Sequence, residues 1–391
     1  MGEKTRAEVI AQLTAAGQPF ELVPGQVFGR NCLLFKNAPG TLRTLFADAR
    51  SDAPFIVYDK ERMSFAETYA AAARVATVLV RDYGIERGDR VAISMRNYPE
   101  WILSFMAVTA IGGIAVAMNA LWRPDEMAFG LSDSGAKVLI ADQERLDRFA
   151  AIEQPLDIQV IAVRPEATEH PNLADLVSAY ADIVDMPEQQ PDPEDDATLM
   201  YTSGSTGNPK GVASCHTNIV SALMSWELDQ TTAIALLDEP PPEPEHPPAT
   251  LLAVPLFHAT GSLAVYLASY RHQRKLVSMY KWDATKAAEL IEQEKITGFI
   301  APAAMTGDLV IEANRSNRDL SSLLTVGGGG APRAPDQVRN IEKSFSKAMP
   351  GTGWGMTETN AIGTGIGGQD YLQRPASSGR CSAVLELKVV D

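Results

Sequence analysis

The chain is short of cysteine and of positive charge, and both shortages narrow what it can do. Three cysteines, Cys32, Cys215 and Cys381, are scattered over 391 residues. Odd in number and without metal-like spacing, they exclude a disulfide framework and fit a reducing compartment. Lysine and arginine total 34 against 49 acidic residues, a formal net charge of −15. No basic run exists to neutralise a phosphate backbone, which excludes nucleic acid as a partner. The acidic excess serves solubility. The N-terminus, MGEKTRAEV, has no apolar signal-peptide core, and Arg6 stands where myristoylation needs Ser or Thr. A cytoplasmic location is expected. Trp101–Trp122 is free of charge over 22 residues, long enough to cross a bilayer. It contains Ser104, Thr109, Gly112-Gly113 and Asn119, and reads as a buried helix, a glycine break and the strand Ile114–Met118. No transmembrane segment is expected.

Two nucleotide fingerprints are missing as well. GxGxxG is absent around Tyr201–Val212, and five positions after Gly204 stands Pro209, where a Walker A loop needs glycine. No internal repeat is evident.

What is present is a 45% hydrophobic composition, enough for a large core in two or three lobes. A helix is expected over Thr5–Ala16. Ser64 and Glu67 form a capping-box pattern that opens a helix to about Tyr83. Strands at Val91–Met95, Ile114–Met118, Lys137–Ala141 and Ile158–Val163 alternate with helices beginning at Pro99 and Pro124. After the acidic, proline-rich linker PEQQPDPEDD the alternation resumes. Strands are expected at Thr250–Val254, Lys275–Met279, Gly298–Ala301 and Leu324–Val326, and helices near Ala259–Arg271, Asp283–Lys295, Ala303–Ala313 and Pro335–Ser346. Asp238–Pro248, DEPPPEPEHPP, reads as a solvated insertion, and the tail Ala383–Val390 as a strand. Helices alternating with continuously apolar strands predict an α/β fold. Two αβαβα lobes with largely parallel sheets are expected, over about 50–190 and 197–345, with the start of a small β-barrel subdomain over 346–391.

The chemistry centres on YTSGSTGNPKGV, Tyr201–Val212. Thr198–Tyr201 reads as a buried strand, and His216 to about Leu237 as a helix. Between them, glycine and hydroxyl residues let backbone N–H groups converge on an anion, and Lys210 adds a positive charge on a long stem. This is a phosphate cradle. Three further stretches follow expected strands, where parallel-sheet proteins place their sites. Pro255-Leu256-Phe257-His258 is followed by the small residues Ala259, Gly261 and Ser262; structural and functional roles for His258 both stay open at this point. Gly327–Gly330 with Ala331-Pro332 lets something flat lie on bare backbone. Gly353-Trp354-Gly355-Met356-Thr357-Glu358-Thr359 offers a π-face for a purine, a hydroxyl, and a carboxylate suited to Mg²⁺. Thr306-Gly307-Asp308 falls inside an amphipathic helix and is assigned no function.

TSGSTGNPKG, PLFH, GGAP and GWGMTET stand in the order found in adenylate-forming enzymes, and from about residue 50 the chain resembles that superfamily of acyl-CoA synthetases, adenylation domains and luciferases. KWDA (Lys281–Ala284) and DLSSL (Asp319–Leu323) are more similar to bacterial fatty-acyl or aryl-CoA ligases. The resemblance implies that a carboxylic acid reacts with MgATP to give an acyl-adenylate, which CoA converts to a thioester. It implies that Thr202, Ser203, Gly204, Ser205, Thr206, Gly207 and Lys210 hold the phosphates. Gly329, Gly330, Ala331 and Pro332 border the adenine, and Gly353, Trp354, Gly355 and Met356 complete that side, with Trp354 stacking. Thr357 contacts the α-phosphate, and Glu358, with Thr206, binds Mg²⁺. Lys210, His258, Thr357 and Glu358 are the expected catalytic group. His258, Gly261, Ser262, Ala301 and Gly328 are expected to line the acyl pocket. A carrier-protein thiol as acceptor, or a non-catalytic binding fragment, are the alternatives. The family continues with the rest of a barrel and a mobile lid bearing a further lysine. Neither follows Asp391, so the sequence is expected to be the large N-terminal domain of a longer enzyme, with the lid domain not included. Oligomeric state is open, a homodimer included.

Overall fold

The computed structural model describes residues 4–203, 209–239 and 243–390. The chain divides into two compact units, one of residues 40–216 and 252–282, the other of residues 1–39, 217–251 and 283–391.

In the first unit a six-stranded sheet runs, edge to edge, Lys210–Cys215, Asp196–Thr202, Ile114–Ala117, Arg90–Ser94, Val138–Asp142, Gln159–Val163. Neighbours are parallel except for the first pair. Val138–Asp142 is buried at every residue, as the uninterrupted apolar runs of a sheet covered on both faces require. The expected capping box opens the helix Phe65–Arg81: Ser64 Oγ accepts the Glu67 N–H, and the Glu67 carboxylate accepts the Ser64 N–H. Pro99 begins the next helix, Pro99–Ala110, in which Trp101 and Phe105 stack at 5.3 Å. The chain then turns at Gly112, φ +77°, into Ile114–Ala117. Among the described residues no helix is long and apolar enough to cross a membrane. A second, three-stranded array places Lys275–Ser278 parallel to Pro54–Tyr58, which reverses into Glu61–Ser64.

In the other unit Ala249–Leu252, Gly298–Ile300, Thr325–Gly327 and Met349–Gly355 are parallel neighbours. Met349–Gly355 pairs in parallel through its first two residues and, from Gly351, antiparallel with Gly363–Gly367. Arg380–Cys381 adds a short antiparallel edge. The helices Ala284–Glu294, Ala303–Arg315 and Pro335–Ser344 connect the parallel strands. The fold is thus α/β with mixed parallel and antiparallel sheets.

Several expectations are corrected. The helix begins at His216 as expected, but Lys210 does not stay in the loop before it. It opens the strand Lys210–Cys215, and the helix His216–Ala235 follows. Asp196–Thr202 bonds to Ile114–Ala117 and lies within the first compact unit. Ala383–Val390 forms no strand; Leu387, Val389 and Val390 are 53%, 87% and 72% exposed, so their apolar character meets no partner among the described residues. The hairpin of Leu22–Val27 and Arg30–Phe35 was not expected from the weak patterning there. Of the acidic insertion, residues 240–242 lie outside the described residues, and 243–248 carry neither helix nor strand.

Candidate functional site

Within the first unit, the phosphate-type stretch connects two antiparallel strands. Thr202 stands opposite Lys210, so the segment between them starts and ends at one hydrogen-bonded pair. Gly204, Ser205, Thr206, Gly207 and Asn208 lie outside the described residues. Ser203 is exposed, as is Lys210, whose ammonium has no partner among the described residues. Below the stretch, Tyr201 is held from two sides. Its hydroxyl donates to Asp133 Oδ2 at 2.7 Å, and its ring meets Trp122 edge-on at 5.4 Å. Burial and the Asp133 carboxylate raise the phenol pKa, keeping it a donor. Gly211 has Leu199 at 3.0 Å from where a Cβ would stand, which keeps this face close to its neighbour.

The PLFH turn is built by a residue that sequence reasoning did not single out. Asn97 is 4% exposed. Its amide donates to Val254 O and accepts from Leu256 N–H, both at 3.0 Å, so it brackets Pro255, which has no N–H of its own. Ser278 Oγ donates to the Asn97 carbonyl at 2.8 Å. His258 follows, exposed, with its ring tilted against Phe257 at 4.5 Å. Desolvation by the surrounding protein pulls its pKa below the usual histidine value, favouring the neutral ring at pH 7. The chain then enters a π-helical segment, Thr260–Leu267, after which the Ala268 N–H reaches back five residues to Leu263 O. Gly261 is obligatory there, since a Cβ would lie 2.1 Å from Pro255 O. Ser262 is fully buried, and its hydroxyl donates to His258 O at 3.0 Å.

In the other unit, the two remaining motifs are stitched together. The Gly353 N–H donates to Gly328 O at 3.0 Å, joining the glycine-rich stretch to GWGMTET. Gly330 takes φ +78°, open to glycine without strain. Gly329, Ala331 and Pro332 complete that turn, the last two exposed. The space a side chain at Gly328 would need is taken by the Arg333 guanidinium, 2.7 Å from an added Cβ. Ala301 is fully buried at the end of its strand, and its N–H donates to Gly327 O at 3.2 Å.

Trp354 pairs with Thr364 across the hairpin, its ring packs over Gly363, whose missing Cβ makes room for it, and it remains 47% exposed. Met356 is 43% exposed. From there the chain winds tightly: Met356 N–H donates to Thr359 Oγ1 at 3.1 Å, Thr359 Oγ1 donates to Ile362 O, and Ala361 N–H returns to Met356 O at 2.8 Å. Asn360 and Ala361 take φ of +53° and +63° in succession, a conformation that costs a non-glycine residue and marks a constrained turn. The turn presents a half-buried Thr357 and an exposed Glu358, whose carboxylate has no hydrogen-bond partner among the described residues. A free carboxylate of this kind is available to a hard cation such as Mg²⁺.

Comparison with known proteins covers the stretch that carries these motifs. The chain is 28% identical over 339 residues to 4-coumarate–CoA ligase CCL1 of Humulus lupulus, covering 85% of this chain and 60% of that protein. It is 30% identical over 338 residues to the long-chain-fatty-acid–CoA ligase FadD13 of Mycobacterium tuberculosis, covering 84% and 61% respectively. The chain therefore spans about 60% of the length of these relatives. Among solved structures, the N-terminal domain of FACL13 from Mycobacterium tuberculosis superposes with a TM-score of 0.74 at 26% identity, covering 88% of this chain and 83% of that one. The family described as AMP-binding enzyme matches residues 45–391, and the chain belongs to it.

Proposed function

We propose that the chain is the nucleotide-handling part of an acyl-CoA ligase that activates a carboxylic acid with MgATP. A carboxylate oxygen attacks the α-phosphorus, the bond to pyrophosphate breaks, and an acyl-adenylate forms. A thiol of CoA then attacks the acyl carbon and releases AMP. Residues 202–207 and Lys210 hold the β- and γ-phosphates, a role supported by the glycine- and hydroxyl-rich sequence and by an exposed Lys210 with no partner among the described residues. Trp354, half-exposed on bare backbone, stacks on the adenine, bordered by Gly329–Pro332 and held in register by Gly353, Gly355 and Met356. Thr357 contacts the α-phosphate. Glu358 would hold Mg²⁺, a role the resemblance also gives Thr206, and the ion would offset phosphate charge. A neutral His258 lies between the acyl pocket and the α-phosphate. Ala301 borders the pocket, whereas Gly261, Ser262 and Gly328 already have packing partners of their own. Such chemistry rests on positioned donors and charge stabilisation rather than on a strong base.

The observation that carries this reading is the family match, which spans all four motifs in one continuous stretch. The relatives are ligases of 4-coumarate and of long-chain fatty acids, which supports an aryl or fatty acid as substrate. The test is carboxylate-dependent pyrophosphate release from MgATP by the full-length protein, over a panel of fatty, aryl and amino acids. Release with one acid class, and thioester only when CoA is added, is the expected result. No release with any acid overturns the reading. Thioester formed on a carrier protein but not on CoA replaces the acceptor.

A further inference from the structure

Arg333 directly follows the glycine-rich turn, in a proline-flanked stretch where an arginine would ordinarily reach into solvent. Here it is 7% exposed. Its Nη1 donates to Gly351 O at 3.2 Å, and its Nη2 to Thr306 Oγ1 at 3.1 Å and Gly327 O at 3.3 Å. Nε is buried with no partner, and no carboxylate pairs with the guanidinium among the described residues. Burying a cation against neutral acceptors alone is costly, and a leucine or methionine would fill the same space without that cost.

What the fork gains is geometry. Gly327 ends one parallel strand and leads into Gly328–Pro332, while Gly351 lies two residues before Gly353-Trp354-Gly355 in the strand Met349–Gly355. A planar guanidinium spans both carbonyls and the helix residue Thr306 at once, which a point-like ammonium cannot do. Gly328 must be glycine because this fork stands 2.7 Å from its Cβ position, and Gly328 O is the acceptor for Gly353 N–H. The spacing between the two stretches thus passes through Arg333.

We propose that Arg333, with Thr306, is the positioning residue that sets the gap between the glycine-rich turn and Trp354, and thereby the affinity for the adenine nucleotide. This rests on the function proposed above. It separates nucleotide affinity from acid affinity in a way that a general packing role would not.

The test compares wild type with T306V, R333K and R333M in the full-length protein. MgATP binding is measured by calorimetry, KM for MgATP and for the acid by pyrophosphate release, and Tm alongside. R333M is expected to weaken MgATP binding about tenfold or more, the size expected for lost hydrogen bonds to a charged group. R333K should recover only part of this, T306V should lose about threefold, and KM for the acid should stay within about twofold throughout. If R333M does not fold, T306V and R333K carry the comparison. Wild-type binding with unchanged MgATP affinity in the variants overturns the Arg333 assignment alone. So does a parallel loss of both affinities that tracks Tm. Absence of MgATP binding by the wild type overturns the functional reading and this proposal with it.

Discussion

His216 offers a sharp test of the buried electrostatics. It opens the helix His216–Ala235 and is 0% exposed. Its Nδ1 accepts the Leu42 N–H at 3.1 Å, so the proton rests on Nε2, which is buried without a partner. Burial pulls the pKa from 6.5 to about 4, with the Asp195 charge opposing. In the folded state the ring therefore stays neutral, while the unfolded chain takes up a proton near pH 6.5. Between these values the unfolded state binds more protons. The stability is fully present above pH 6.5 and is lost as pH falls toward 4. A displacement of this size corresponds to about 3 kcal/mol over the whole window, of which about 1 kcal/mol is gone by pH 5.5. His216→Asn supplies an acceptor for Leu42 without a titrating group. Urea unfolding of both proteins at pH 7.5 and 5.5 isolates the effect, because all other groups titrate alike in the two. Wild type should lose about 1 kcal/mol more than the variant between these pH values. An equal loss in both would refute the buried neutral imidazole.

Lys210→Ala and Glu358→Ala should each lower adenylation by about a hundredfold with little change in Tm, since neither side chain has a partner among the described residues; a rate within about twofold of wild type would remove the residue from the mechanism. Asn97→Leu leaves Val254 O and Leu256 N–H without their partner and should cost about 2–5 kcal/mol; denaturant midpoints check this, and an unchanged midpoint would mean the bracket around Pro255 is dispensable. Gly355→Ala would place a Cβ 2.3 Å from Ala361 O, so MgATP binding should fall together with a stability loss of about 1–3 kcal/mol. Full nucleotide affinity in that variant would show that the tight turn tolerates opening.

The parallel strands were legible because each is buried on both faces, so an apolar run such as the one ending at Asp142 stands out whatever surrounds it. Ser64 with Glu67, Pro99 and Gly112 were legible because each has a local mechanism. The strand Lys210–Cys215 was not, because its first four residues are exposed or half-buried and only its last two are buried. The tail was misread for the opposite reason: apolar alternation predicts a strand, but a strand also needs a neighbour to bond to. At the site, motif order could be read from sequence, whereas Asn97 and Arg333 act through contacts with residues far away in the chain. A charged residue between prolines gives no local sign that it will be buried. Thr306, set aside as part of a decoy, keeps its place inside the helix Ala303–Arg315 and owes its importance to that one distant guanidinium.

The π-helical segment Thr260–Leu267 has a consequence for how this region tolerates insertions and deletions. Such segments hold one more residue per turn than the helix around them can accommodate. Removing a single residue there would let the segment relax into an ordinary α-helix. Each residue of an α-helix turns the chain by about 100°, so the deletion would swing His258 and everything before it relative to the helix Ala268–Arg271. Conservative substitutions along Leu263–Leu267 should therefore be absorbed by repacking, while a one-residue deletion at the same place should re-aim the histidine. In a library that samples both kinds of change, survival in this segment should depend on length more than on side-chain identity.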